Sequence, residues 1–420
     1  MSEPTFTRSI PVARINRWGL FFCALLIFSG ALKGEHSLVS RLPVDLTLLS
    51  ASGTLIFMAL KWLVSPRIQY PYALAGVAWL FLTFVPGCFL GPGGEYPASK
   101  VAQLFTLTPA TVIAPILFMD SEVEFEILFR SLALVALGVV VSFALGGKLL
   151  EIILSPDSYD RAEAFGGGPI LFGRAMGYLT VFSGMTILRR TGTTRLRAGM
   201  ALLFFLGLGG TILSGSRGPL LAAILPLMVL AAVQGGGHFR KQRTWAVVIV
   251  VGMAMFIAVT TSLLPQAALD RIVSGMAPGA PDASTLARQQ AYGRSLDLIG
   301  ITPLGIGWGG FTSHVNAFNG LAIQYPHNLF VEVFLEGGWM AGFSLVALMG
   351  AAPLVLWRHR RTEAGGMLVA ALLYFLVNAM VSSDVNGNRP ALALAAAALT
   401  FSAMKRKEGS PRPIHAATGS

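Results

Sequence analysis

The chain has 420 residues, of which 54% are hydrophobic and only 12% charged, with a formal net charge of +11. An ordinary soluble domain carries about a quarter charged residues, so this composition excludes a soluble globular protein and makes lipid the solvent for most of the chain. The surplus positive charge is dispersed in small clusters between apolar runs, which excludes a nucleic-acid-binding patch and marks those clusters as topology signals.

Apolar runs near the ~20 residues that cross a bilayer recur from Trp18 onward. In chain order the expected spans are 18–33, 44–64, 71–90, 101–119, 125–146, 169–188, 196–213, 218–234, 244–264, 328–356, 364–381 and 390–404. The first follows Arg8, Arg14 and Arg17 in the manner of a signal peptide, but it is expected to be an uncleaved helix. Alternate connections are basic: Lys61 and Arg67; Arg189, Arg190, Arg195 and Arg197; Arg240, Lys241 and Arg243; Arg358, Arg360 and Arg361; Lys405, Arg406 and Lys407. By the positive-inside rule this register predicts about twelve helices with both termini cytoplasmic. The expected fold is all-α, a polytopic transmembrane helical bundle forming a single integral membrane domain over residues 1–420. Cys23 and Cys88 lie inside apolar segments without redox or metal spacing and read as small hydrophobes. The absence of a Walker loop argues against an ATP-driven pump.

The same register puts residues 91–100, 147–168, 265–327 and 382–389 on the outer side. A connection as long as 265–327 is uncommon unless functional, and its stretch from Leu286 to Ile299 is patterned as an amphipathic helix.

Three features set ionisable groups at the outer ends of apolar helices. Ser214-Gly215-Ser216-Arg217-Gly218-Pro219 joins two spans with almost no loop, and an arginine held at the bilayer edge is costly without an anionic partner. Arg288 stands four residues before Tyr292 in a segment ending at the Pro303-Leu304-Gly305-Ile306-Gly307 turn, where a guanidinium can fork across phosphate oxygens. Arg294, six residues on, points elsewhere. Tyr325-Pro326-His327-Asn328 opens an apolar run containing Glu332, Glu336, Gly337, Gly338 and Gly342. Of six histidines, only His327 begins a helix at the expected outer face, where a neutral imidazole can accept a hydroxyl proton. Glu332 and Glu336, one helical turn apart, are expected to share a buried polar face.

Together these residues resemble the O-antigen ligase and O-antigen polymerase family of membrane glycosyltransferases: Ser216, Arg217 and Gly218; Arg288 with Pro303, Gly305 and Gly307; His327, Asn328, Glu336, Gly337 and Gly342. The resemblance covers mainly residues 200–345, and Tyr292 stands where the family often has tryptophan. It implies a glycosyltransferase-C-like bundle with one long periplasmic loop containing short helices, in a bacterial inner membrane. It also implies an undecaprenyl-pyrophosphate-linked glycan donor, with Arg217 and Arg288 stabilising the leaving pyrophosphate and His327 receiving the proton of an acceptor hydroxyl. Asn328, Glu336, Tyr292 and Ser216 would support that site. Lys100 resembles a basic position of the family, and Lys100 and Arg161 are carried as further pyrophosphate-binding candidates, beside Arg174. The acceptor is lipid A-core for a ligase, another lipid-linked repeat for a polymerase, and a protein serine for an O-oligosaccharyltransferase; ligase is favoured. No cofactor and no metal are expected, since there is no Asp-x-Asp pair and Asp270, Asp282 and Asp297 are scattered. A flippase or transporter and a scaffold for polysaccharide assembly remain as readings of a different class, the former hindered by sparse mid-span charge at Arg130 and Arg174.

Overall fold

The computed structural model describes residues 10–33, 37–41, 43–147, 168–189, 193–233, 283–314 and 323–409. These form fourteen α-helices. They are α1 (Ile10–Leu32), α2 (Leu46–Val64), α3 (Pro71–Leu90), α4 (Glu95–Phe105), α5 (Leu107–Phe118), α6 (Glu122–Leu145) and α7 (Pro169–Leu188). The second half continues with α8 (Thr194–Leu213), α9 (Arg217–Val233), α10 (Ala283–Ile301), α11 (Phe311–His314), α12 (Leu329–Trp357), α13 (Glu363–Val381) and α14 (Arg389–Gly409).

Helix starts follow their capping chemistry. Asp45 accepts from the amides of Thr47 and Leu48 ahead of α2, Ser121 and Glu124 form a capping box at α6, and prolines open α3 and α7. Nine spans among the described residues are long and apolar enough to cross a membrane, α4 and α5 counting together as Glu95–Phe118; this is a multi-pass membrane protein. The other three of the twelve expected spans fall outside this count. α9 is a shorter apolar helix, α14 is headed by Arg389 and closes on Arg406 and Lys407, and the span expected at 244–264 lies outside the described residues. Nor is 91–100 simply a loop: α4 begins at Glu95.

Helices rich in small residues take the centre, because lipid gives no hydrophobic reward for burying large ones and close backbone approach must supply the packing. Ala391 to Ala398 of α14 are at most 1% exposed, and α14 packs against α5, α12 and α13. By contrast α2 presents Leu48, Leu55, Ile56 and Leu63, and α3 presents Tyr72 and Phe89, as lipid-facing side chains.

The two ends of the bundle differ. One is tied by Lys61 to Asp120 at 2.6 Å, Lys405 to Glu122, the rings of His359 and Phe401, and the Arg189 guanidinium donating to the carbonyls of Thr362 and Glu363. Four of the five basic clusters lie at or beside these contacts. At the other end lie the start of α12, the end of α13 and the candidate site.

Candidate functional site

The frame of the site is a break in α12. Gly338 is non-helical (φ 83°, ψ 177°), which frees the carbonyls of Leu335 and Glu336. The amides of Ile306 and Gly307 donate to them at 2.9 and 3.0 Å, while the Trp339 amide donates to Pro303 O at 2.9 Å. Trp308 completes the clamp, its amide donating to Gly87 O at 3.0 Å and its indole N–H to Phe84 O at 2.9 Å. The Pro303 to Gly309 turn is therefore a wedge joining α12 to α3. Gly305 and Gly307 adopt positive φ (83° and 82°), and a Cβ on Gly307 would meet the Gly91 backbone. Gly307→Ala is expected to cost more than the ~1–2 kcal/mol of a left-handed non-glycine residue, because the obstructing atoms are main chain; a thermal-unfolding scan in detergent unchanged by this substitution would contradict the clamp.

Beneath the wedge is a buried ion triad. The Lys100 ammonium of α4 lies 2.5 Å from Glu332 and 2.6 Å from Glu336, and all three side chains are 0% exposed. Glu336 also accepts from the amide of Gly309 at 2.9 Å and that of Phe311 at 3.4 Å. The shared polar face expected of the two glutamates is present, but the anion-binding expectation for Lys100 meets a different arrangement. Its charge is engaged by two carboxylates inside the protein, because the α12 break brings them against α4. Glu336 is thus engaged by the wedge and by Lys100.

The three sequence motifs converge on the last turn of α13. Gly218, next to Arg217 at the head of α9, faces Val381, which a Cβ there would strike at 2.8 Å. An Arg288 Nη1 donates to Val381 O at 3.4 Å, and Asn328 Nδ2 donates to Met380 O at 3.0 Å. A helix C-terminus presents unpaired carbonyls and negative partial charge, so it collects these cationic and amide groups. The bond to Val381 engages one of the five guanidinium donors of Arg288, and Arg217 is half-buried. Ser216 is buried behind Arg217, its hydroxyl donating to Pro169 O at 3.4 Å.

His327 is held by its neighbours in a backbone state that non-glycine residues seldom adopt (φ 59°). Asn328 then caps α12 by accepting from the amides of Phe330 and Val331 at 3.0 and 3.2 Å. The Tyr292 hydroxyl donates to His327 O at 3.4 Å, and the Tyr325 ring meets the imidazole edge-on at 4.5 Å between centroids. The buried Nδ1 makes no hydrogen bond among the described residues. Burial, followed by the Arg288 charge, lowers the imidazole pKa from 6.5 to about 4, so the ring is neutral at physiological pH and can accept a proton. Burial likewise raises Tyr325 to about 12, with Asp384 contributing, and raises Tyr292; both phenols stay protonated.

The connection 382–388 forms the remaining wall. Arg174, expected to face an anion, is instead buried and donates to the carbonyls of Gly387 (2.9 Å), Asn378 (3.2 Å) and Ser382 (2.8 Å), and to Asn388 Oδ1 (2.9 Å). Asn386 Nδ2 donates to Lys100 O at 2.9 Å and its Oδ1 accepts from Thr108 at 3.0 Å. This lacing positions Asp384, which accepts from the Gly387 amide at 2.8 Å and lies close enough for its charge to act on Tyr325 and Arg174. Sequence reasoning passed over Asp384; an acidic residue in a short asparagine-rich connection between two apolar helices was the available signal. Arg294 is exposed on α10, away from the convergence as expected, and Arg161 lies outside the described residues.

Residues 202–346, about a third of the chain, match the model of the O-antigen ligase family. The matched segment runs from within α8 into α12 and contains Arg217, Arg288, Tyr292, His327 and Glu336, whereas Lys100, Arg174 and Asp384 fall outside it. No curated protein matches the chain.

Proposed function

We propose, from the O-antigen ligase match of residues 202–346, that this membrane protein is a glycosyltransferase of the O-antigen ligase type. It moves a glycan from an undecaprenyl-pyrophosphate donor to a hydroxyl of lipid A-core, at the periplasmic face of a bacterial inner membrane. The observation that carries the reading is the meeting of the Arg217, Arg288 and His327 segments at Met380 and Val381. The basic clusters gather around the opposite end of the bundle, which by the positive-inside rule supports a periplasmic site end and cytoplasmic termini.

The chemistry follows from charge. Breaking the bond between the anomeric carbon and phosphate puts negative charge on the departing pyrophosphate. Preorganised guanidinium groups stabilise that developing charge more than they stabilise the ground state. The neutral imidazole of His327 takes the acceptor proton as the hydroxyl oxygen attacks the anomeric carbon, and a single displacement inverts that centre. Arg174, spent on main-chain carbonyls, and Arg130, at 74% exposure and paired with Glu126, give little support to a charge-lined transport path.

Producing Arg288→Ala in the native host and resolving its surface polysaccharide on a gel tests the reading. The inserted protein should persist while capped lipopolysaccharide disappears and polymer accumulates on its lipid carrier. Single-repeat products would assign the chain to polymerisation instead, and unaltered banding would remove the enzymatic reading. Chelation of divalent cations in a reconstituted assay is expected to leave the rate unchanged; loss of transfer restored by a divalent ion would refute metal independence.

A further inference from the structure

A cleft of ≈ 630 Å³ lies between α6, α7, α8 and α13, at the end of the bundle opposite the candidate site. Its walls are apolar, with Phe129, Leu134, Leu179, Phe182, Leu203 and Met367 among them, and Leu134 at 59% exposure marks its lateral mouth. The lining residues come from the first two-thirds of α6, the first half of α8 and of α13, and the second half of α7 with its C-cap Arg189, so the cleft lies towards one face of the membrane. The α13 helix begins at Glu363 beside the cleft and ends at Val381 beside Arg288. At 1.5 Å per residue these points are about 28 Å apart, too far for one headgroup to serve both.

The charged lining residues are Glu126, Arg130, Arg189 and Glu363; Arg189 and Glu363 stand at helix ends, Glu126 in the second turn of α6 and Arg130 one turn further in. Arg189 is fixed by the carbonyls of Thr362 and Glu363, and Gly366 leaves room for it, since a Cβ there would strike its guanidinium. Arg130 and Glu126 form an exposed pair at 2.9 Å, of the kind that exchanges partners at little cost. The mouth thus offers two cations and two carboxylates above an apolar slot. That pattern complements a headgroup bearing one anion and one primary ammonium on acyl chains; an anionic headgroup would meet two carboxylates, and a quaternary ammonium could not hydrogen-bond to them.

We propose that this cleft is a binding site for an aminophospholipid of the phosphatidylethanolamine type from the leaflet opposite the candidate site, its phosphate on Arg130 and Arg189 and its ammonium on Glu126 and Glu363. The site is separate from glycan transfer and does not depend on it. The test is native mass spectrometry of the full chain after reconstitution in vesicles of equal phosphatidylethanolamine, phosphatidylglycerol and phosphatidylcholine. The parent should retain phosphatidylethanolamine preferentially. The Glu126→Gln/Glu363→Gln variant, which alters only the mouth, should lose that preference by roughly fivefold, the scale of a partly exposed charge-assisted hydrogen bond. Ala133→Trp, filling the slot, should release the lipid. Preference for phosphatidylglycerol, equal retention of the three lipids, or an unchanged preference in the double glutamine variant would overturn the proposal, the last deciding the matter even if the tryptophan variant fails to fold.

Discussion

His327→Ala is expected to lower the rate of glycan transfer by about 10²–10⁴-fold, the usual contribution of a positioned base, with little change in thermal stability. The imidazole is partly buried and makes no hydrogen bond through Nδ1 among the described residues, and histidine already bears the left-handed backbone cost that alanine would bear in its place. His327→Gly therefore serves as the control in which the backbone is relieved rather than strained. The pH dependence gives a second readout. Because burial and Arg288 depress the imidazole pKa from 6.5 to about 4, the base stays deprotonated until pH falls to about 4. The rate should then be level across roughly pH 5 to 8 and decline only on further acidification. An acid limb centred near the ordinary histidine value would mean that the ring is solvated, or that another group receives the proton.

Lys100→Met is expected to remove most of the folded protein. It leaves Glu332 and Glu336, both fully buried and one turn apart, without their counterion; breaking a buried ion pair from one side costs about 3–5 kcal/mol. The triple variant Lys100→Met/Glu332→Gln/Glu336→Gln removes all three charges, while the amide oxygen that replaces the Glu336 carboxylate can still accept from the Gly309 amide, so it should recover much of the lost stability. The measurement is the midpoint of thermal unfolding in detergent. If Lys100 instead served a diphosphate, Lys100→Met would remain folded and lose turnover, the opposite result. Asp384→Asn is a milder companion. It preserves an acceptor for the Gly387 amide while removing the charge that acts on Tyr325, so the protein should stay folded with reduced transfer; parental rates would place Asp384 outside the site.

The membrane class, most helix positions and the order of the motifs were legible in the sequence. Each rests on a local or periodic property: the length of an apolar run, the order of short motifs along the chain, a basic cluster between runs. The amphipathic stretch from Leu286 to Ile299 appears as part of α10 for the same reason, and the shared face of Glu332 and Glu336 follows from helical spacing alone. Tertiary roles are not legible by the same means. Helix α14 looks like an ordinary span by composition, yet its alanines serve close packing at the centre of the bundle. The Pro303 to Gly309 segment reads as a turn, and only the packing shows that its backbone is consumed in clasping the break at Gly338.

What the residues by themselves determined was which groups could carry charge at a membrane edge: Arg217, Arg288, His327 and Lys100. Only the tertiary structure decided which of them meet and which are spent. Burial against Glu332 and Glu336 commits Lys100 to the interior, and the carbonyls of the 382–388 connection consume Arg174, while the end of α13 gathers the segments of Arg217, Arg288 and His327. A buried cation takes the nearest compensating group that packing supplies, because desolvation leaves it no solvent alternative. That partner lies 236 positions away in sequence for the pair of Lys100 with Glu336, a distance over which no local pattern carries information.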